Sequence, residues 1–280
     1  MTKLFDLFDD RLFYEMVEKG YVKSQQHPTA PYVIYNYTDA CTWDEQWNEV
    51  TLQCRGLIIH AETDEVIARP FCKFFNHDQA QAPSLDLDDD VIVLDKLDGS
   101  LGIQYPMPDG SPAIATRGSF TSEQALWATE WVTFNSIGQP PVSPNETYLY
   151  EIIYPENRIV VDYNGFEGLI LLGTVNIETG KVSIFKASQY SPIVAIYPYT
   201  KWSDVLTSTP RDNAEGFVVH KVSTGDMVKI KYEDYKRLHK YMTRVTERHV
   251  WECLMEERSL EAEFAGAPDE FHVWVREVAD

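Results

Sequence analysis

Two hydrophobic periods run along this chain, and the short one dominates. Residues 9–19 fit a short amphipathic helix that Gly20 stops. Beyond it, brief apolar or alternating runs predict strands over 33–37, 56–60, 66–69, 91–94, 101–105, 113–116, 148–153, 168–174, 181–185, 216–220 and 227–232. Turn signals lie between several of these runs, at Ala61-Glu62-Thr63-Asp64-Glu65, Pro106-Met107-Pro108-Asp109-Gly110 and Ser223-Thr224-Gly225. Helices are expected over 43–52, 121–134, 187–197, 201–206 and 269–278, with one long helix over 233–257. Thr121 and Gln124 are spaced as a capping box, and Asp269 is placed to cap the last helix. Trp127 and Trp131, four apart, share a helix face and read as core rather than as a ligand platform. Residues 140–144 and the acidic 86–90 read as surface loops. Short strands with hairpin turns and a few helices describe an α+β fold with antiparallel sheets. The only expected boundary lies near Lys240, dividing a 1–240 domain from a short helical extension over 241–280.

Composition narrows the class. At 44% hydrophobic, the 280 residues allow a sizeable core, and no apolar run approaches the roughly 20 needed to cross a bilayer. The start, Met1-Thr2-Lys3-Leu4-Phe5-Asp6, has no basic n-region followed by an apolar segment. Cys41, Cys54, Cys72 and Cys253 form no CxxC pair, and read as reduced thiols of a cytoplasmic protein. A formal net charge of −20 argues against loose, nonspecific nucleic-acid binding. Within it, residues 220–250 carry eight Lys/Arg against four Asp/Glu, a local net charge of +4. That segment fits equally a solvated helix face or a basic contact surface.

The chemistry concentrates at Lys96. It closes the apolar run Val91-Ile92-Val93-Leu94 and is followed by Leu97-Asp98-Gly99-Ser100. Gly99 permits a sharp turn and the close approach of a phosphate. The bare Lys-x-Asp-Gly pattern also fits an ordinary hairpin with a solvated lysine. Its company is more telling: Tyr150-Glu151 in an aromatic strand, Glu215-Gly216-Phe217-Val218-Val219, then Val228-Lys229-Ile230-Lys231. Lys229 and Lys231 alternate with apolar residues and so share one face of a strand. A lysine nucleophile must lose its proton, and neighbouring cations with partial burial favour the neutral amine.

This order resembles the covalent nucleotidyltransferases, the polynucleotide ligases and RNA capping enzymes. Tyr35-Asn36-Tyr37-Thr38, Cys54-Arg55-Gly56-Leu57-Ile58, residues 69–76 and Tyr154-Pro155-Glu156-Asn157-Arg158-Ile159-Val160 resemble the phage RNA ligase 1 family more specifically. The resemblance implies a nucleotidyltransferase fold with antiparallel sheets flanking a nucleotide cleft. It implies ATP-dependent joining of 3′-OH and 5′-phosphate RNA ends through lysyl-AMP and adenylylated RNA. Lys96 would be the nucleophile, with Lys229 and Lys231 on the α-phosphate. Arg55, Lys73 and Arg117 would meet the triphosphate, Arg117 standing where the family commonly has lysine. Asp98, Glu151 and Glu215 would bind ribose or hold hydrated Mg²⁺ (or Mn²⁺), and Tyr235 matches a tyrosine the family also uses. The implied partners are single-stranded or nicked RNA ends, without a membrane or an obligate protein partner. The 49 residues after Lys231 are too few for the five-stranded OB-fold that DNA ligases and capping enzymes carry there. Two alternatives remain at this level: an RNA 5′-adenylyltransferase that does not seal, and a non-catalytic adenylate- or RNA-end-binding module. His220, His239, His249 and His272 show no metal-ligand spacing.

Overall fold

The period-two runs pair into three sheets. The computed structural model describes residues 1–135, 143–185, 192–244, 246–256, 258–263, 275, 278 and 279. An N-terminal helix α1 (Asp10–Glu18) precedes strands β1 (Val22–Gln26) and β2 (Tyr32–Tyr37). Two short helices, α2 (Asp39–Trp43) and α3 (Glu49–Gln53), lead to β3 (Arg55–His60), β4 (Val66–Ala68) and β5 (Phe75–Asn76). Then come β6 (Val91–Lys96), β7 (Ser100–Pro106), β8 (Pro112–Ala115), α4 (Glu123–Phe134), β9 (Glu146–Ile153), β10 (Gly168–Asn176) and β11 (Val182–Ser183). The chain continues through β12 (Ile196–Tyr197), α5 (Trp202–Leu206), β13 (Gly216–Lys221), β14 (Met227–Lys231), α6 (Glu233–Arg244), α7 (Glu247–Met255) and α8 (Leu260–Glu263).

The sheets run β1-β2-β3-β4, β11-β10-β9-β7-β8 and β12-β6-β13-β14-β5. All pairings are antiparallel except β14 with β5. The first two sheets share a core of Tyr32, Ile34, Ile58, Ile103, Tyr105, Phe120 and Leu149. The second sheet's other face packs on α4 through Ala128, Val132, Tyr150, Ile152 and Leu169. There Trp127 stacks on Trp131 and on Tyr154, so the tryptophan pair is packing, as expected. The third sheet covers Val91, Val93, Phe217, Val219 and Val228, closed from outside by Trp202, Val205, Tyr232 and Tyr235.

Several expected elements are corrected. The helix over 43–52 is two, because Glu45 takes a positive φ of 50° and Asn48 caps a new start, accepting from Val50 and Thr51 N–H. The cap of α4 is Ser122, not Thr121; its hydroxyl accepts from Ala125 N–H. The strand over 181–185 shrinks to Val182–Ser183. Of the helix expected over 187–197, residues 187–191 lie outside the described residues, and Ile196–Tyr197 is a strand on β6. The long helix over 233–257 breaks after Arg244, where Thr246 caps α7 by accepting from His249 N–H. Polar Val22–Gln26 was unmarked by hydrophobicity because it is an edge strand with one buried side chain. The loop expected at 140–144 and the helix expected over 269–278 fall mostly outside the described residues. The acidic loop is not bare surface, since Asp89 and Asp90 pair with Lys221 and Lys201.

Candidate active site

Pairing register builds the centre. Gly216 on β13 lies opposite Lys96 on β6 and opposite Lys231 on β14, so one rung crosses three strands. Glu215 enters that rung from just before β13. It is only 3% exposed, and its carboxylate takes Lys96 Nζ at 2.8 Å and Lys231 Nζ at 2.7 Å. One buried acid thus bridges the two lysines rather than leaving them face to face. Gly216 is required here: its φ is +147° and a Cβ would lie 1.9 Å from the Ile230 carbonyl oxygen.

The turn after Lys96 is held from below. Gly99 N–H donates to Glu151 Oε1 at 3.0 Å, and a Cβ on Gly99 would come within 2.5 Å of the Ile152 carbonyl oxygen. Burial pushes the Glu151 carboxyl up to about 8; Lys96 opposes that shift, and Glu215 and Asp98 add to it. Asp98 is tied into the protein around the turn. It is 3% exposed; Oδ2 accepts from the Val160 and Val161 N–H groups at 2.8 Å each, and Oδ1 from the Tyr235 hydroxyl at 2.7 Å. Asp98 thus fastens the turn to the 160–161 segment and to Tyr235, while Glu151 and Glu215 border Lys96. Tyr235 likewise is an anchor: buried, bonded to Asp98, with Lys231 Nζ 5.1 Å from its ring centre.

The other cations gather nearby. Among the described residues Lys229, Lys73, Arg55 and Arg117 make no ion pair. Burial, then Lys73, Lys96, Lys231 and Arg55, push Lys229 down to about 7. Burial with Arg55, Arg117 and Lys231 pushes Lys73 down to about 8. Lys73 Nζ sits among the rings of Phe75, Trp47 and Tyr37 at 5.0, 5.4 and 5.8 Å. Arg117 donates to the Tyr37 hydroxyl at 2.8 Å. Arg55 has a buried Nη1 with no hydrogen-bond partner, and burial lowers its pKa. Buried donors without acceptors cost stability unless something satisfies them. An orphaned guanidinium N–H beside depressed lysines is the signature of an anion site, and a polyphosphate fits it. A hydrated divalent cation needs few protein oxygens, and Glu151 and Glu215 fit that need.

Sequence reasoning missed Asn157, which donates to the Ile152 carbonyl and accepts from Ser100, and Tyr163, whose hydroxyl accepts from Asp98 N–H at 2.7 Å. It also missed Arg211, on the reverse face of the sheet. The motif around Tyr154–Val160 was the available signal for the first, since that stretch wraps the Lys96 turn. A cleft of about 1180 Å³ takes in Lys231, Tyr235 and Arg211 but not Lys96, and is a neighbouring groove. Elsewhere His249 Nε2 lies 3.9 Å from Cys253 Sγ and 3.4 Å from Glu263 Oε1, a grouping hidden in the sequence. Arg258 Nη1 pairs with the same glutamate at 3.0 Å.

Sheets of this order around a lysine rung define the nucleotidyltransferase fold of ATP-dependent RNA ligases. An archaeal ATP-dependent RNA ligase superposes with a TM-score of 0.56 at 16% identity, over 96% of this chain and 75% of that one. The RNA ligase family profile matches residues 53–236, and the chain belongs to that family. Two relatives are similar at 25% identity. One is the "Putative bifunctional polynucleotide kinase/RNA ligase" of Autographa californica nuclear polyhedrosis virus, over 82% of this chain and 36% of that protein. The other is the "Putative RNA ligase" of Thermovibrio ammonificans, over 74% of this chain and 57% of that protein. An uncharacterized protein, ORF64 of Ostreid herpesvirus 1, is 30% identical over 51% of this chain and 38% of its own length. The chain thus spans between about a third and three-fifths of these relatives, and the 49 residues after Lys231 bound nothing about further domains.

Proposed function

We propose that this chain is the catalytic core of an ATP-dependent RNA ligase. The observation that carries the reading is the rung itself: Lys96 and Lys231 bridged by buried Glu215, beside Lys229 and Arg55, which form no ion pair among the described residues. Lys96 Nζ, once deprotonated, attacks the α-phosphorus of ATP; an N–P bond forms, the α–β P–O bond breaks and pyrophosphate leaves. Lys229 and Lys231 neutralise the α-phosphate, and Arg55, Lys73 and Arg117 take the β- and γ-phosphates. A 5′-phosphate oxygen of RNA then attacks the same phosphorus and displaces Lys96. Finally a 3′-OH attacks the RNA phosphate, loses its proton and expels AMP. Each step is phosphoryl transfer, governed by positioning and charge neutralisation. Mg²⁺ or Mn²⁺, when bound near Glu151 and Glu215, supplies charge stabilisation on the reacting oxygens. Asp98 and Tyr235 keep the nucleophile's turn closed.

The test uses ATP, a divalent metal and a 5′-phosphorylated single-stranded RNA with a free 3′-OH. Sealed RNA with release of one AMP is expected. Accumulation of 5′-adenylylated RNA without sealing means an adenylyltransferase. Binding of adenylate with no adduct and no product means a non-catalytic module.

A further inference from the structure

The residue beside each member of the catalytic rung touches one common partner. Asp95 precedes Lys96, Gly216 follows Glu215, and Tyr232 follows Lys231. Arg211 Nη2 donates to Asp95 Oδ1 at 2.7 Å and to the Gly216 carbonyl at 2.8 Å, and Nε donates to the Tyr232 hydroxyl at 3.2 Å. Nη1 donates to the Tyr197 hydroxyl. The guanidinium also lies over the rings of Tyr197 and Phe217, at 4.4 and 4.8 Å from their centres. Successive strand side chains point to opposite faces. Lys96 lies on one face and Asp95 on the other, the side where Phe217 joins the core with Val91 and Val93. Arg211 therefore sits behind the sheet, bonded to Asp95 on the face opposite Lys96. Only a planar fork with several donors reaches carboxylate, carbonyl and hydroxyl together; an ammonium cannot.

We propose that Arg211 is a positioning residue that locks Lys96, Glu215 and Lys231 into one rung by clamping strands β6, β13 and the end of β14 from behind. The inference rests on Lys96 being the nucleophile. Without the clamp the strands gain freedom at the rung, the Lys96–Glu215 ion pair loosens, and the amine no longer meets the α-phosphorus in line. Misplacement on the order of 1 Å at a reacting centre costs about a hundredfold in rate.

The experiment compares wild type, Arg211→Lys, Arg211→Ala and Asp95→Asn by two readouts. In the absence of ATP, a trace amine-acylating reagent reports the reactivity of Lys96 by peptide mass spectrometry, with exposed Lys23 as internal reference. Single-turnover adenylylation reports the maximal rate and the ATP concentration giving half of it. Expected are severalfold faster labelling of Lys96 in the Arg211 variants, and a maximal rate about 10- to 100-fold lower with half-saturating ATP little changed. Added guanidinium should partly restore Arg211→Ala and do nothing for Arg211→Lys. Wild-type labelling and maximal rate in folded Arg211→Lys and Asp95→Asn overturn the proposal, whatever the melting temperatures. So does a loss that appears only in the ATP requirement. If Arg211→Ala does not fold, the two milder variants decide. A wild type that never adenylylates overturns the ligase reading, while the labelling arm still decides the clamp.

Discussion

Nucleotide binding should draw protons into the protein. In the free site Lys229 sits at about 7 and Lys73 at about 8, both held down by burial and by neighbouring cations. Each cation's pKa is therefore below its ordinary value, near 10.4, and each is partly neutral above pH 7. A polyphosphate beside them favours the charged form, so protons are taken up and affinity weakens as pH rises through 7 to 9. At pH 8 Lys229 lacks about 0.9 proton and Lys73 about 0.5, giving an uptake of about 1.4 per nucleotide and about 0.3 at pH 6.5. Full restoration of both lysines weakens binding a few hundredfold, as an upper figure, between about pH 7 and 9. The nucleotide's own phosphate, with a second pKa near 6, is ionised throughout the upper part of this range. Calorimetry with an ATP analogue uncleavable between the α- and β-phosphates, in two buffers of different ionisation enthalpy and without divalent metal, counts the protons directly. Lys229→Met should lower the count at pH 8 by about 0.9. Proton release, an uptake near zero at pH 8, or tightening with pH would show that these lysines are not recharged by the nucleotide.

The same depressed lysine strains the free protein. Lys229→Met should stabilise the fold by about 2 kcal/mol below pH 7, a gain that fades between about pH 7 and 10 as the folded lysine gives up its charge while the unfolded one keeps it; urea unfolding at pH 6.5 and 10 checks it. Gly216→Ala forces a Cβ against the Ile230 carbonyl and should fold poorly, whereas Gly99→Ala displaces the Lys96 turn and should abolish adduct formation in a protein that still folds; circular dichroism and intact mass separate the two. Glu215→Ala leaves two partly buried cations unpaired and should cost about 2–4 kcal/mol in denaturant unfolding, with adenylylation down about a hundredfold or more. Glu151→Ala should impair adenylylation without unfolding the protein, and extra Mg²⁺ should rescue it poorly; full activity would make that carboxylate merely structural.

The strands that build the Lys96 rung were legible because their residues obey local rules. Val91–Lys96 and Met227–Lys231 alternate or run apolar, and the glycines at 99 and 216 mark the backbone approaches that the structure contains. The cationic set was legible as isolated motifs, since Arg55, Lys73, Lys229 and Lys231 each sit in a recognisable stretch. The placement of Asp98 was not. Whether a buried acid meets solvent or two backbone N–H groups depends on where residues 160 and 161 return, a contact more than sixty positions away. Arg211 was invisible for the same reason: it has no periodic neighbour, and its partners come from four separate segments. The breaks at Glu45 and before Thr246 were hidden because helical patterning continued across them, and only the side-chain caps reveal new starts.

The proposed reaction stands or falls with the covalent bond from Lys96 to AMP. Incubation with ATP and Mg²⁺, followed by intact mass and peptide mapping, tests it directly. An added adenylate is expected on the peptide containing Lys96, discharged by 5′-phosphorylated RNA and missing in Lys96→Ala. An adduct that persists in Lys96→Ala, or that maps to Lys229 or Lys231 in the wild type, contradicts it.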